Sequence, residues 1–531
     1  MRPRRPLFLP PLLALLAACC AATPVHVEPE AAPSGMVVAG HPEAAALGAA
    51  VLQAGGNAMD AAVAVSLALG VAEPYGSGLG GKLMLLYHDA ATGEIHAVDG
   101  MDAAGQSLDT DAYRRLPTAA RYDGWSAVCV PGLPAGLQLA HTRWGSQPWN
   151  AIVRRAAQLA RDGATILPKT RELIIERADK LRRDPALAAL FLPDGEPPAA
   201  HTRVPQPALA DTLDLLAAEG VAAFYHGSIA HALVTAAQTG GGHLTLSDLA
   251  NYEARVVAPT HGRLRGHEIY GGPPPTSGTT LVLAILDQLG DPALSPPLRS
   301  AENLNRIGQA WRAALPATQE LVGDPASPPA ALTAGPPGAR EATTHFVVVD
   351  RHHNVVSATQ SLSLHFGAGV SAAGIILNDS MSNFSYQDPA SPNALAPGRR
   401  PRSTITPLIV TRNDQPVLAI GVPGAQRIPL AILQVLLDHL LLGRPLAAAI
   451  GDSRVHWHRP LNTDQPDAIE AESSLDPAVV ETLSGLGWRV DLREAPGTGR
   501  HFGGITAITV NPDGSLTGYA DPRRTNAAAG H

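Results

Sequence analysis

Glu341 to Ser363 reads E-A-T-T-H-F-V-V-V-D-R-H-H-N-V-V-S-A-T-Q-S-L-S and carries hydroxyl side chains at spacings that a hairpin would bring together. Phe346 to Val349 is an aromatic and β-branched run, Asp350 to Asn354 is turn chemistry, and alternation resumes at Val355. If Asp350 opposes Asn354, Thr343 lies across from Ser361 and His345 across from Thr359. Thr344, Phe346, Val348 and Leu362 then occupy the other face. A two-residue loop would shift the register by one and break the pairing. Facing hydroxyls suit nucleophilic chemistry, but a Thr at a strand start is most often structural, so the pattern alone makes no site.

A second stretch suits the same chemistry. Gly421 to Pro429, G-V-P-G-A-Q-R-I-P, precedes an apolar helix over Leu430 to Leu442. A glycine turn aimed into a helix N-terminus offers free N–H groups and the positive end of the dipole to an oxyanion, although a plain strand-to-helix turn reads the same way. The other glycine runs do less. G-S-G-L-G-G at Gly76 to Gly81 follows a helix and opens a strand, the reverse of a phosphate loop, and Gly271 to Thr280 lacks the lysine of one. His352-His353 is a loop tip with no second ligand pair at metal spacing. Cys129, with no neighbouring His or cationic field, reads as a buried small residue before a turn.

The elements that must hold these stretches follow from periodicity and caps. Pro42 to Ala54 is an Ala-rich helix stopped by Gly55-Gly56, and Asn57 with Asp60 caps a second helix over Ala58 to Leu69. Both are apolar on most faces, which implies burial between layers. Lys82 to His88 and Glu94 to Asp99 read as strands; Trp149 to Gly163, Leu173 to Arg183 and Leu209 to Gly220 as helices. Thr245 to Tyr252 reads as a short capped helix and His267 to Tyr270 as a strand. Gly323 to Arg340, rich in Pro, Ala and Gly, reads as an exposed, mobile tail running almost directly into Thr343.

Composition narrows the class. The 531 residues are 45% hydrophobic without a long charge run, which favours one large or two intimately joined domains. A net charge of -8 and no basic stripe argue against a nucleic-acid partner. M-R-P-R-R-P followed by an apolar, proline-broken run reads as an export signal over residues 1–22. Leu16-Ala17-Ala18-Cys19 resembles a bacterial lipobox, which would leave Cys19 lipidated in the periplasm; ordinary signal cleavage near Ala22 is the alternative. Only Cys129 remains beyond that region, so no disulfide framework is expected.

The chain resembles the gamma-glutamyltranspeptidase family over nearly its whole length. The carriers are G-G-N-A-M-D-A-A-V-A, E-P-Y-G-S-G-L-G-G, P-P-P-T-S-G, T-T-H-F-V-V-V-D, G-V-P-G-A and D-P-R-R-T-N-A-A-A-G-H. The resemblance implies an α+β fold, a four-layer αββα sandwich of the N-terminal nucleophile hydrolase type, needing no cofactor or metal. It implies a precursor that cleaves its own Ala342-Thr343 bond into a large subunit, 23–342, and a small subunit, 343–531. A Thr hydroxyl is a poor nucleophile, and a free α-amine on the same residue can serve as its base. Thr343 matches the nucleophile and Ser361 a Thr that steadies it. Gly424 and Ala425 match the Gly-Gly of the oxyanion hole, and Ser403 and Thr404 a Ser-Ser pair holding the substrate α-carboxylate.

Departures concern recognition. Where the family reads D-x-R-E, with the Arg on that carboxylate, this chain has Asp99-Gly100-Met101-Asp102. The amine-holding Asp and Gln appear as Asn383 and Ser380, and a substrate-contacting Asn as Ser363. The segment from Tyr386 to Arg400 is short for the family's lid and the stretch before Thr343 is abbreviated, which leads to the expectation of an open cleft. The first expectation is an exported γ-glutamyl transferase or hydrolase acting on compounds such as glutathione, with water, an amino acid or a peptide as acceptor. The second is an acylase for a glutaryl or cephalosporin-type acyl amide, and the third an unprocessed, inactive binding lipoprotein.

Overall fold

The computed structural model describes residues 25–290, 294–325, 341–386, 388–460, 465–493 and 501–531. Cys19, the export signal and most of the segment before Thr343 lie outside the described residues.

Two seven-stranded antiparallel sheets form the centre. In chain order their strands are β1 (Pro29–Ala32), β2 (Met36–Ala39), β3 (Lys82–His88), β4 (Ile95–Gly100), β5 (Arg255–Val257), β6 (Thr260–Leu264), β7 (His267–Gly271), β8 (Glu341–Val349), β9 (Val355–Leu364), β10 (Leu408–Arg412), β11 (Gln415–Gly421), β12 (Thr506–Val510), β13 (Leu516–Ala520) and β14 (Ala527–Gly530). The first sheet runs β14-β2-β8-β9-β3-β4-β5 and the second β1-β13-β12-β11-β10-β7-β6.

Alternation assigns the faces. On β8, Phe346 and Val348 pack into one core while Val347 and Val349 pack into another, and Leu83/Leu85 and Met84/Leu86 on β3 divide the same way. The first core is closed by α1 (Pro42–Gln53), α2 (Ala58–Ala72), α3 (Leu133–Trp144), α4 (Trp149–Asp162) and α5 (Pro207–Glu219). The second core lies between the sheets and extends through the second sheet to α6 (Gly278–Leu289), α7 (Ala301–Leu321) and α8 (Ile428–Leu436). The order is therefore αββα. Helix α2 is buried at every residue but Gly70, as an all-round apolar helix requires, and Asn57 and Asp60 close the expected capping box.

Several boundaries differ from expectation. Leu173 to Arg183 is not one helix: Pro168–Glu176 ends at Arg177, whose φ/ψ of −107°/12° is non-helical, and Ala178–Leu181 follows. Helix α8 starts at Ile428 and continues as a π turn, Leu437–Leu441. Helix α3 follows Cys129 after a short turn. The expected exposed tail from Gly323 is corrected at its start: Gly323 and Asp324 are buried, and Asp324 accepts the N–H of Arg400 at 2.9 Å. Residues 326–340 lie outside the described residues.

Candidate active site

The hairpin forms in the expected register. Thr343 pairs with Ser361, His345 with Thr359 and Val349 with Val355. One feature was not legible: the register shifts between Ala342 and Thr343, so Ala342 faces Ser363 rather than Leu362. Ser363 takes a left-handed φ of 76°, a costly conformation for a residue with a Cβ. The irregularity and the strained residue face each other at the Ala342-Thr343 peptide.

Ser361 holds both sides of that peptide. Its hydroxyl stands 3.1 Å from Thr343 Oγ1 and accepts the N–H of Ser363 at 3.0 Å. It also donates to the carbonyl oxygen of Ala342. Ser361 has a single proton, already given to Ala342, so Thr343 is the donor between the two hydroxyls. From the C-terminal motif, Arg524 Nη1 donates to the Thr343 carbonyl at 2.7 Å.

The glycine loop explains itself here. A Cβ at Gly81 would lie 2.4 Å from Ser361 O, and one at Gly80 2.1 Å from Ile376 O. The loop is glycine-rich because two backbone segments press on it. Asn378 locks this contact by donating to Gly80 O at 2.8 Å and Cys129 O at 3.0 Å. Cys129 is fully buried, and burial pushes its thiol well above the usual range, as befits a packing residue.

The candidate oxyanion turn lies against the start of β8. Gly421 leaves room for the His345 ring, whose atoms would sit 2.3 Å from a Cβ there. Gly424 and Ala425 both take positive φ, 147° and 61°, and among the described residues no hydrogen bond engages either N–H. Thr404 Oγ1 donates to Ala425 O at 2.9 Å. Ser403 is buried, with its N–H on Pro275 O at 3.1 Å. The structure thus brings Thr404 and the turn together. His345 bonds Thr359 Oγ1 at 2.8 Å, and burial lowers its pKa to about 3, so the ring is neutral and brings no charge to the site.

The residues expected to contact substrate form a separate polar group. Asn383 Nδ2 donates to Ser363 Oγ at 3.1 Å, and Ser380 Oγ lies 2.8 Å from the same atom. Met101 is fully buried in the apolar core between the sheets, so no side chain of recognition character stands at that position. Asp99, two residues earlier, is held by an ion pair with Arg400 and by Arg255 at 3.4 Å. Sequence reasoning missed Lys82. Its Nζ donates to Ser363 Oγ at 2.6 Å and Ser380 Oγ at 3.1 Å, 4.0 Å from Asp102. The available signal was a lysine opening an otherwise apolar strand beside the hairpin.

The cleft is not open in the uncleaved chain. Thr343 is 0% and Ser361 1% exposed. The short lid segment packs down, with Asn393 Nδ2 on Asn383 O at 2.7 Å and Ser391, Ala394 and Leu395 buried. The expectation of openness took the stretch before Thr343 as too short to matter, but Glu341 and Ala342 pair with Leu364 and Ser363 on β9.

An αββα sandwich with a central-strand Thr beside an irregular peptide defines the N-terminal nucleophile hydrolase fold. The family model described as gamma-glutamyltranspeptidase matches residues 44–335 and 331–531, and the chain belongs to that family. It is similar to the glutathione hydrolase proenzyme of Bacillus subtilis strain 168, at 30% identity over 93% of this chain and 91% of that one. It is 34% identical to the acylase ACY 1 proenzyme of Pseudomonas sp. strain SE83, over 93% of each chain. The crystal structure of cephalosporin acylase from Bacillus halodurans superposes with a TM-score of 0.85 at 26% identity, covering 96% of this chain and 98% of that one. The chain is thus an enzyme of this fold and family.

Proposed function

We propose that the chain cleaves itself before Thr343 and then transfers or hydrolyses a γ-glutamyl group through an ester on Thr343. The observation that carries this is the Thr343–Ser361–Ala342 arrangement. Thr343 Oγ1 attacks the Ala342 carbonyl carbon while its proton moves to Ser361, which donates to the developing oxyanion. The C–N bond breaks, the Thr343 nitrogen takes a proton, and water hydrolyses the ester, leaving subunits 23–342 and 343–531. The new α-amine then serves as base for Thr343 Oγ1, with the N–H groups of Gly424 and Ala425 facing the substrate oxyanion. Ser403 and Thr404 border the acyl group, together with Ser363 and Asn383. Glutathione and related γ-glutamyl amides are the donors that the glutathione hydrolase relatives suggest.

A second reading, an acylase for non-glutamyl acyl groups, is favoured by the burial of Met101 in the core and by the acylase relatives. The third expectation, an inactive binding lipoprotein, gains no support from these relatives, which are enzymes by name. Export with a lipid on Cys19 belongs to the proposal. Among the described residues no helix is long and apolar enough to cross a membrane. Cys19→Ala moving the protein from the membrane to the soluble fraction tests the anchor.

The central test uses purified protein. Two bands on a denaturing gel, release of amine from a γ-glutamyl anilide, and loss of both in Thr343→Ala are expected. A single intact band in the wild type would overturn the reading.

A further inference from the structure

Lys82 occupies an unusual position. It is 1% exposed, it opens β3, and its register partner on β9 is Ser361. Thr343, Ser361 and Lys82 therefore form one row across β8, β9 and β3. Residues directly opposite one another in antiparallel strands share a face, so all three side chains leave the sheet on the same side. Two strand spacings, roughly 10 Å, separate the outer Cα atoms, which suits a short acyl chain held between them.

The contacts around its ammonium are few for a buried cation. Nζ is bonded to the hydroxyls of Ser363 and Ser380, and Asn383 Nδ2 points at the same Ser363 oxygen. The carboxylate paired with it, Asp102, stands 4.0 Å away, beyond hydrogen-bond distance. Asp102 spends one oxygen on Ser380, its other oxygen has no partner among the described residues, and burial raises its pKa, which weakens it as a counterion. A buried cation without a bonded carboxylate is expensive unless an anion joins it.

The strand before Thr343 covers this group. Ala342 lies opposite Ser363 and Glu341 opposite Leu364. When the Ala342-Thr343 bond is cut, these two residues are no longer tethered to Thr343. On the cleavage proposed above, moving them away would uncover Ser363, and Lys82 bonded to it, beside the new nucleophile.

We propose that Lys82 is the carboxylate-binding residue of the acyl pocket, and that the site selects acyl groups ending in a carboxylate and lacking an α-ammonium. This rests on the acyl-Thr343 chemistry proposed above and takes its second, non-glutamyl reading of the substrate over the γ-glutamyl one. The ammonium and the Asn383 amide, which keep N–H donors beyond those given to Ser363 and Ser380, present them to a terminal carboxylate. An α-ammonium brought to the same place meets a like charge in a dehydrated site. Thr343 supplies the attacking oxygen and Lys82 the far anchor.

The test compares glutaryl, γ-glutamyl and pentanoyl anilides on processed protein, wild type and Lys82→Met. The expected wild-type order is glutaryl first. Lys82→Met lowers kcat/KM for the glutaryl anilide, mostly through KM, by about 100-fold more than it lowers that for the pentanoyl anilide. Lys82→Arg keeps part of the glutaryl preference. A γ-glutamyl preference in the wild type, or a glutaryl rate unchanged in processed Lys82→Met, overturns the proposal. If Lys82→Met fails to process, the wild type decides through binding: glutarate must bind at least about ten-fold more tightly than pentanoate or L-glutamate. Equal binding overturns it. Processed wild type that cleaves no anilide refutes the acyl-Thr343 reading, while the glutarate comparison still judges Lys82.

Discussion

The hydroxyl of Ser361 stands 3.1 Å from that of Thr343 across β8 and β9, and the same Ser361 oxygen hydrogen-bonds Ala342 O. On the proposed chemistry, one side chain therefore touches both the attacking oxygen and the oxygen on which charge develops. Removing it takes away both a proton path and an oxyanion donor. Ser361→Ala is expected to slow the appearance of the two subunits by at least about 100-fold, whereas Ser361→Thr, which keeps the hydroxyl, stays within about ten-fold. A gel time course after folding measures this. Ser361→Ala maturing at the wild-type rate would remove Ser361 from the chemistry.

This pairing was legible in the sequence because turn residues at Asp350 and Asn354 fix the register of everything before and after them. The buried helices and the capping box were legible for the same kind of reason: their signals are local. The irregularity at Ala342-Thr343 was not, since it lies opposite Ser363, and nothing in the residue types announces the positive φ that Ser363 adopts there. Lys82 was hidden because nothing in its neighbourhood of sequence says that Ser363 and Ser380, nearly three hundred positions away, converge on it. The Asp99-Gly100-Met101-Asp102 departure marked where the Arg of the resemblance is missing, and only the fold showed a buried cation beside Ser363 and Ser380.

Arg524 reaches the Thr343 carbonyl from a turn that is anchored by buried charges. Asp521 pairs with Arg454 at 2.8 Å and with Arg523 at 3.3 Å, and Arg523 also holds Glu472 at 2.7 Å. All of these side chains are at most 4% exposed. Asp521→Ala leaves Arg454 without that carboxylate and weakens Arg523, so a loss of about 3–5 kcal/mol is expected in urea unfolding. Processing slows with it, because Arg524 is released from its position. A loss under about 1 kcal/mol would show that the network is not what holds the turn.

Ala425 stands where the resemblance puts a glycine, and its φ of 61° explains why glycine suits the position. A Cβ in left-handed backbone costs about 1–2 kcal/mol, part of which glycine returns through its looser unfolded chain. Ala425→Gly is therefore expected to gain up to about 1 kcal/mol and to keep turnover within about three-fold, since the N–H remains. Ala425→Val, β-branched at positive φ, is expected to lose stability and turnover together. Chemical unfolding and anilide turnover measure both, and a clearly destabilised glycine variant would contradict the strain argument.

Asp379 and His345 pull the pH dependence of stability in opposite directions. Burial raises Asp379 from 3.8 to about 7, so the folded chain keeps a proton that the unfolded chain releases. Its contribution is complete below pH 3.8 and is lost as pH rises through 7. Burial lowers His345 from 6.5 to about 3, so its contribution is present above 6.5 and is lost as pH falls towards 3. Between about pH 4 and 6.5 the two slopes oppose each other. Asp379→Asn keeps an acceptor for the Leu364 N–H, now 2.8 Å from Asp379 Oδ1, but has no proton to lose. Its stability relative to wild type is expected to climb from pH 4 to pH 7.5, by on the order of 3 kcal/mol, and to level off above that. Urea unfolding of both proteins across this range gives the difference directly, and a difference independent of pH would mean that Asp379 enters the folded state already ionised.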